Sequence, residues 1–223
     1  SAMLAGILDS AKNLPIVAEA VSSVDVAIFD LNLWSIRDAL LDASQRGVEV
    51  RLVTETDNLD EPEIQALITA GIPVVDDRRE NLMHNKFTII DRMEVWTGSM
   101  NYSTSEAYKN NNNLIRLRSS RLASGYTAEF EEMFKQDLFG PHSNPPTDDQ
   151  DVEINGTRVE VFFSPEDDTA DRVVELLMAA DTSIYFLVYS FTNDDLADAM
   201  LARAEEGVTV AGVFEASQYT SNV

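Results

Sequence analysis

Apolar and polar positions along the chain follow two periods that take turns. From Leu14 to Ser23 the apolar residues recur at helical spacing, with Pro15 near the start, where a first helical turn tolerates proline. Val24 to Leu33 is densely apolar and reads as a strand. Arg37 to Gln45 returns to the helical period and stops at Gly47, which takes the left-handed C-terminal conformation cheaply. Val48 to Val53 (VEVRLV) is a second strand, Glu61 to Ala70 a helix closed by Gly71, and Ile72 to Val75 a short strand. Strands joined by helices predict an α/β domain, its sheet largely parallel or mixed and flanked by helices.

Two further strand-like segments follow, Met83 to Asp91 and Val95 to Ser103, with Asp91-Arg-Met-Glu94 as a tight turn between them. Side chains two apart on a strand share a face, so His84 and Lys86 point the same way, as do Ser99 and Asn101. With Arg92-Met93 as a two-residue loop, residue i faces residue 185 − i. Lys86 then lies opposite Ser99 and His84 opposite Asn101, and a slip of one residue breaks this grouping. Ser103-Thr-Ser-Glu106 fits a capping box, and the amides of the helix it opens favour an anion. Imidazole, ammonium, hydroxyl and amide groups on one patch suit a phosphate. His142, among polar residues in a proline-rich stretch, reads as a bystander. Arg116 and Arg118 share a strand face, either as a basic rim for a polyanion or as charges on a solvated edge.

The run from Gly140 to Asp151 holds three prolines and three aspartates and reads as an exposed linker. Beyond it the pattern restarts. Arg37 to Glu55 (RDALLDASQRGVEVRLVTE) aligns without gaps on Ala197 to Glu215 (ADAMLARAEEGVTVAGVFE) at a constant offset of 160, with identities that include Asp38/Asp198, Leu41/Leu201, Gly47/Gly207 and Glu55/Glu215. The expected organisation is a first half over 4–139, a linker over 140–157, and the incomplete beginning of a second half over 158–223. Ser1-Ala2-Met3 reads as an expression scar and is left out of the fold.

Composition narrows the function classes. The formal charge is −23, with 13 basic and 22 acidic residues before position 141 and 3 and 17 after it. So acidic a surface repels polyanions on average and weighs against broad nucleic-acid binding, though not against a local basic cleft. Acidity with only four lysines also fits salt adaptation. With no cysteine, disulfides, zinc–thiolate sites and thiol catalysis are excluded, and cytoplasmic and exported locations are not separated. No run approaches the roughly 18 apolar residues of a membrane span. The acidic Glu166-Asp-Asp168 reads as a helix start rather than a calcium loop.

The pattern H-x-K-x4-D (His84, Lys86, Asp91) followed by G-S-x-N (Gly98, Ser99, Asn101) resembles the signature of the phospholipase D superfamily. The resemblance extends to Arg46–Arg51 (RGVEVR), Ala70–Val74 (AGIPV) and the GVTVAGVFE segment that ends at Glu215. It implies a phospholipase-D-like repeat in which two halves bring two such motifs into one active site. It further implies a phosphodiesterase in which one histidine forms a phosphohistidine and the other protonates the leaving alcohol and then activates water, with no metal or cofactor. Lys86 would neutralise the non-bridging oxygens, and Gly98, Ser99, Asn101 and Asn112 would line the substrate. Asp91, though part of the motif, falls off the His84/Lys86 face and suits a structural or electrostatic role. The family often carries an acid where this chain has Asn112, which accepts a hydrogen bond from imidazole but brings no charge. The second histidine is expected from a C-terminal continuation or from a homodimer. The resemblance leaves open phospholipid hydrolysis, metal-independent nuclease action, cardiolipin-synthase-like phosphatidyl transfer, and a degenerate phosphate-binding module.

Overall fold

The computed structural model describes residues 15–144 and 151–218. The chain divides into two compact units, Ser1–Val161 and Phe162–Val223. Ser1-Ala2-Met3, Leu14 and Pro145–Gln150 lie outside the described residues.

The first unit opens with a single turn, α1 (Pro15–Ala18), followed by β1 (Ser23–Ile28), α2 (Trp34–Gln45), β2 (Glu49–Thr54), α3 (Pro62–Thr69) and β3 (Val74–Asp76). These three strands pair in parallel through the two helices. Next come β4 (Lys86–Ile90), β5 (Glu94–Gly98), α4 (Thr104–Tyr108), β6 (Leu114–Arg118) and the long α5 (Ser120–Gln136). Strands β4 to β6 pair antiparallel, and the sheet runs β3-β2-β1-β4-β5-β6, so one half is parallel and the other antiparallel. The helix expected over Leu14–Ser23 is cut to one turn. The amides of Val21, Ser22 and Ser23 go to the carboxylate of Asp91 instead of to helical carbonyls.

Both faces of the sheet are covered, which explains why β1 is buried at every position. On one face Val24, Val26 and Ile28 join Val50, Leu52, Ile36, Leu40, Ile64 and Leu67 in the main apolar cluster beneath α2 and α3. On the other, Phe87 packs edge-on to Tyr126 of α5, ring centroids 5.0 Å apart. A buried charge network lies on that side: Arg51 reaches Asp25 at 2.7 Å and Glu131 at 3.0 Å, its guanidinium stacked over Phe130 at 4.8 Å. Pairing and stacking offset part of the cost of burying this cation, whose Nη2 donates to no partner among the described residues.

Past α5, the linker expected to run to residue 157 ends sooner. Asp151–Ile154 (β7) and Thr157–Glu160 (β8) form an antiparallel hairpin. Asn155-Gly156 turns it with φ of +51 and +79, the geometry such a dipeptide favours.

The second unit contains α6 (Thr169–Met178), β9 (Ser183–Val188), α7 (Asp194–Glu205) and β10 (Thr209–Phe214). Each residue pair between β9 and β10 is numbered 160 above a pair between β1 and β2, from Ser183↔Thr209 against Ser23↔Glu49 to Val188↔Phe214 against Ile28↔Thr54.

Candidate functional site

The antiparallel pairing of β1, β4 and β5 brings the carboxyl end of β1, the start of β4 and the end of β5 to one edge of the sheet, the end at which α/β sheets bind ligands. Phe29 and Asp30 leave β1 there. Phe29 continues the ladder by donating its amide to Asn85 O at 3.2 Å. The chain then turns away from β4, and Asp30 O accepts from Tyr102 N at 3.0 Å. Glu55, buried at the end of β2, accepts the amide of Met83 at 2.6 Å and so holds the segment that enters β4. His84 and Lys86 follow on that segment.

The two groups share an aromatic platform. The imidazole of His84 meets the Phe29 ring edge-on at 4.9 Å, and the Lys86 ammonium sits 5.2 Å over the same ring. Lys86 Nζ also donates to the carbonyl oxygen of His84 at 2.9 Å. His84 lies at the surface, not in the hydrophobic interior. Surrounding protein still lowers its pKa below the usual histidine value; the nearby ammonium adds to this and Glu106 opposes it. Burial likewise pushes Lys86 down to about 8, against the pull of Glu106 and Asp30. Asp30 is raised by burial, with Glu106 adding and a hydrogen bond from Ser103 and the charge of Lys86 subtracting. Near neutral pH the edge therefore presents a neutral imidazole beside an ammonium.

The β4–β5 register differs by one from the expected one. Phe87 pairs with Thr97 and Ile90 with Glu94, so residue i faces 184 − i and Lys86 lies level with Gly98 rather than Ser99. The loop has three residues, and Asp91 and Arg92 both take positive φ, +52 and +54. Ser99 instead leaves the strand at Gly98, where the backbone crosses that of Asn113 so closely that a Cβ at 98 would sit 2.2 Å from Asn113 O. Ser99 Oγ accepts from Asn113 N at 3.1 Å and Asn113 Nδ2 at 3.3 Å, and donates to Asn112 Oδ1 at 3.0 Å. Asn101 is buried, and its Oδ1 accepts no hydrogen bond from the described residues.

The capping box does not form. Ser103 makes no side-chain cap bond and its hydroxyl serves Asp30, while Asn32 Oδ1 caps Thr104 N at 3.0 Å. With only five residues, α4 makes no anion site of the kind expected. Asp91, at the far end of β4 from Lys86, is about 16 Å away by strand rise. Its carboxylate ties β4 to the start of β1 through Val21, Ser22 and Ser23. Arg116 lies on the edge strand β6, bonded to Glu94 at 2.7 Å and over Trp96 at 5.6 Å. His142 is exposed in a 3-10 turn, Gly140–His142. Among the described residues no cluster of three or more metal-ligating side chains occurs, and no helix is long and apolar enough to cross a membrane.

Three residues at this edge escape motif reading: Phe29, Asp30 and Glu106. The signals were present. Asp30 is the first polar residue after an apolar strand, and Glu106 is the only carboxylate between Glu94 and Glu129.

Comparison with known proteins bears on the family and the fold. The profile of the family described as "Cardiolipin synthase, PLD-like domain" matches residues 14–134. The chain belongs to the phospholipase D superfamily. It is 33% identical over 119 residues to the mitochondrial cardiolipin hydrolase of Homo sapiens, covering 52% of this chain and 47% of that protein. It is 32% identical over 112 residues to a phospholipase D of Rickettsia prowazekii, covering 49% and 55%. The chain thus spans about half the length of the curated relatives it matches. Among solved structures, the phospholipase D family member Nuc from Salmonella typhimurium matches with a TM-score of 0.52 and 26% identity, covering 55% of this chain and 84% of that one. The phosphatidylserine synthase of Haemophilus influenzae shares the fold, TM-score 0.64 at 11% identity, over 90% of this chain and 57% of its own.

Proposed function

We propose that the edge carrying His84 and Lys86 is one half-site of a phosphodiesterase acting on a phospholipid or related diester. The observation that carries this reading is the shared Phe29 platform, which sets a neutral, surface-facing imidazole beside an ammonium. A ring nitrogen of His84 attacks phosphorus, and the bond to the leaving alcohol oxygen breaks. A second, protonated imidazole gives that oxygen its proton, and Lys86 neutralises the charge on the non-bridging oxygens. The second imidazole then takes a proton from water, which displaces His84 and leaves a phosphomonoester. An alcohol in place of water gives phosphatidyl transfer with the same residues. A second half-site supplies the other ring, either from further sequence of the natural protein or from another copy of this unit. The expectation that it comes from further sequence rests on the match between residues 37–55 and 197–215.

Names of the relatives favour a phospholipid substrate, the human and Rickettsia proteins being a cardiolipin hydrolase and a phospholipase D. The net charge of −23 disfavours a nucleic acid on electrostatic grounds. The test is turnover of phosphatidylcholine or cardiolipin vesicles, a generic diester and single-stranded DNA, all without metal, by the full natural protein and its His84→Ala variant. The reading expects lipid cleavage that the variant abolishes. Cleavage of DNA alone reassigns the substrate, and lipid cleavage undiminished in the variant overturns the mechanism.

A further inference from the structure

Ser99 is committed on every side. Its oxygen accepts two N–H groups of Asn113, so its own proton must go to Asn112 Oδ1. That orients the Asn112 amide: its oxygen faces Ser99 and its NH2 faces Glu106, donating to Glu106 Oε2 and, at 3.3 Å, to Glu106 O. Asn110 Nδ2 adds a second bond to the same carboxylate, at Oε1, 3.3 Å. Glu106 therefore receives donors on both oxygens. It is the one charged group of α4 that acts on both His84 and Lys86.

We propose that Glu106 is the anionic positioning residue of this site, its carboxylate held by Asn112 and Asn110 so as to balance the positive charge that gathers on His84 and Lys86. A neutral amide at position 112 leaves the network without charge of its own, and the carboxylate six residues earlier supplies it through that amide. The other charged groups at the edge are Lys86 itself, on β4 and opposed in sign to Glu106, Asp30 past β1, which acts on Lys86, and Glu55 past β2, which holds the Met83 amide. Glu129 of α5 accepts from Asn85 Nδ2 at 3.4 Å. Loss of the Glu106 charge leaves His84 a weaker base and hence a weaker nucleophile. This inference rests on His84 being the reacting group, but its first test does not.

The test is an NMR titration of the His84 ring in the full chain, for wild type, Glu106→Gln, and the double variant Glu106→Gln with Asn112→Asp. The double variant reverses the pair, keeping its hydrogen bond and its single negative charge. Glu106→Gln should lower the His84 midpoint by roughly half a pH unit or more, and the double variant should restore most of that shift. In an active assembly the acid limb of the kcat/KM profile should move the same way. A His84 midpoint unmoved in Glu106→Gln overturns the proposal. So does a lowered midpoint that the reversed pair fails to restore, since it points to altered structure rather than charge. Unchanged turnover in His84→Ala instead overturns the catalytic reading and leaves the titration result standing.

Discussion

The ammonium of Lys86 donates to the carbonyl oxygen of His84 at 2.9 Å, so the cation of the candidate site also fixes the backbone that carries the imidazole. With Lys86 pushed down to about 8, chiefly by burial, the pair carries its positive charge at neutral pH and loses it one or two units above. Inorganic phosphate affinity, followed by 31P NMR or calorimetry, should therefore fall as pH rises through about 8. Binding that holds level to pH 10 contradicts this. Lys86→Met should weaken binding at pH 7 by roughly tenfold or more, and Lys86→Arg should only partly restore it, because a planar guanidinium does not reproduce the bond to His84 O.

Gly98 crosses the Asn113 backbone with no room for a methyl group. Gly98→Ala should push residue 113 away, loosen the bonds from Asn113 to Ser99, and destabilise the unit by about 1–3 kcal/mol. Chemical denaturation measures this. An alanine variant as stable as wild type shows that the crossing is slack.

Asp91 should act on stability rather than on chemistry, its carboxylate being bonded to Val21, Ser22 and Ser23. Burial pulls its pKa up, but hydrogen bonds from Ser23, Ser22 and Val21 outweigh it and leave the pKa below the usual aspartate value. A depressed carboxylate contributes stability above its unfolded pKa and loses it as pH falls through the folded one, so the effect of Asp91 fades below about pH 4. Asp91→Ala should cost about 1–3 kcal/mol at pH 7 and progressively less as pH falls below about 4, with phosphate affinity unchanged. A loss of phosphate affinity in a folded Asp91→Ala chain would bring Asp91 into the site.

Arg51 is held by the buried Asp25 at 2.7 Å, the half-buried Glu131 at 3.0 Å and the face of Phe130. Asp25→Asn removes one charge and leaves the other under α5, so it should cost about 3–5 kcal/mol. Equilibrium denaturation checks it, and a loss below 1 kcal/mol means that water reaches the guanidinium.

Much of this was legible beforehand because the signals are local. Gly47 and Gly71 end helices, VEVRLV is a strand, and His84 and Lys86 are two apart. What escaped depends on backbone states or partners that residue type announces poorly. Asp91 and Arg92 adopt positive φ without being glycine, which lengthened the loop and moved the register by one. Asn155-Gly156 was a plain hairpin signal hidden inside a stretch read as linker. Ser103 and Glu106 have the spacing of a capping box, yet each is drawn off by a stronger partner, Asp30 and Asn112, that only the tertiary fold brings near. The order of strands in the sheet, which puts the end of β1 beside the start of β4, followed from no short segment.

In the proposed mechanism His84 takes the phosphoryl group. The most direct measurement is to quench an active assembly during turnover of a diester, under alkaline conditions that preserve phosphohistidine, and to locate the phosphorus by peptide mass spectrometry. A phosphorylated peptide containing His84, absent from His84→Asn, is the predicted result. Turnover with phosphorus on another residue, or undiminished in His84→Asn, contradicts it.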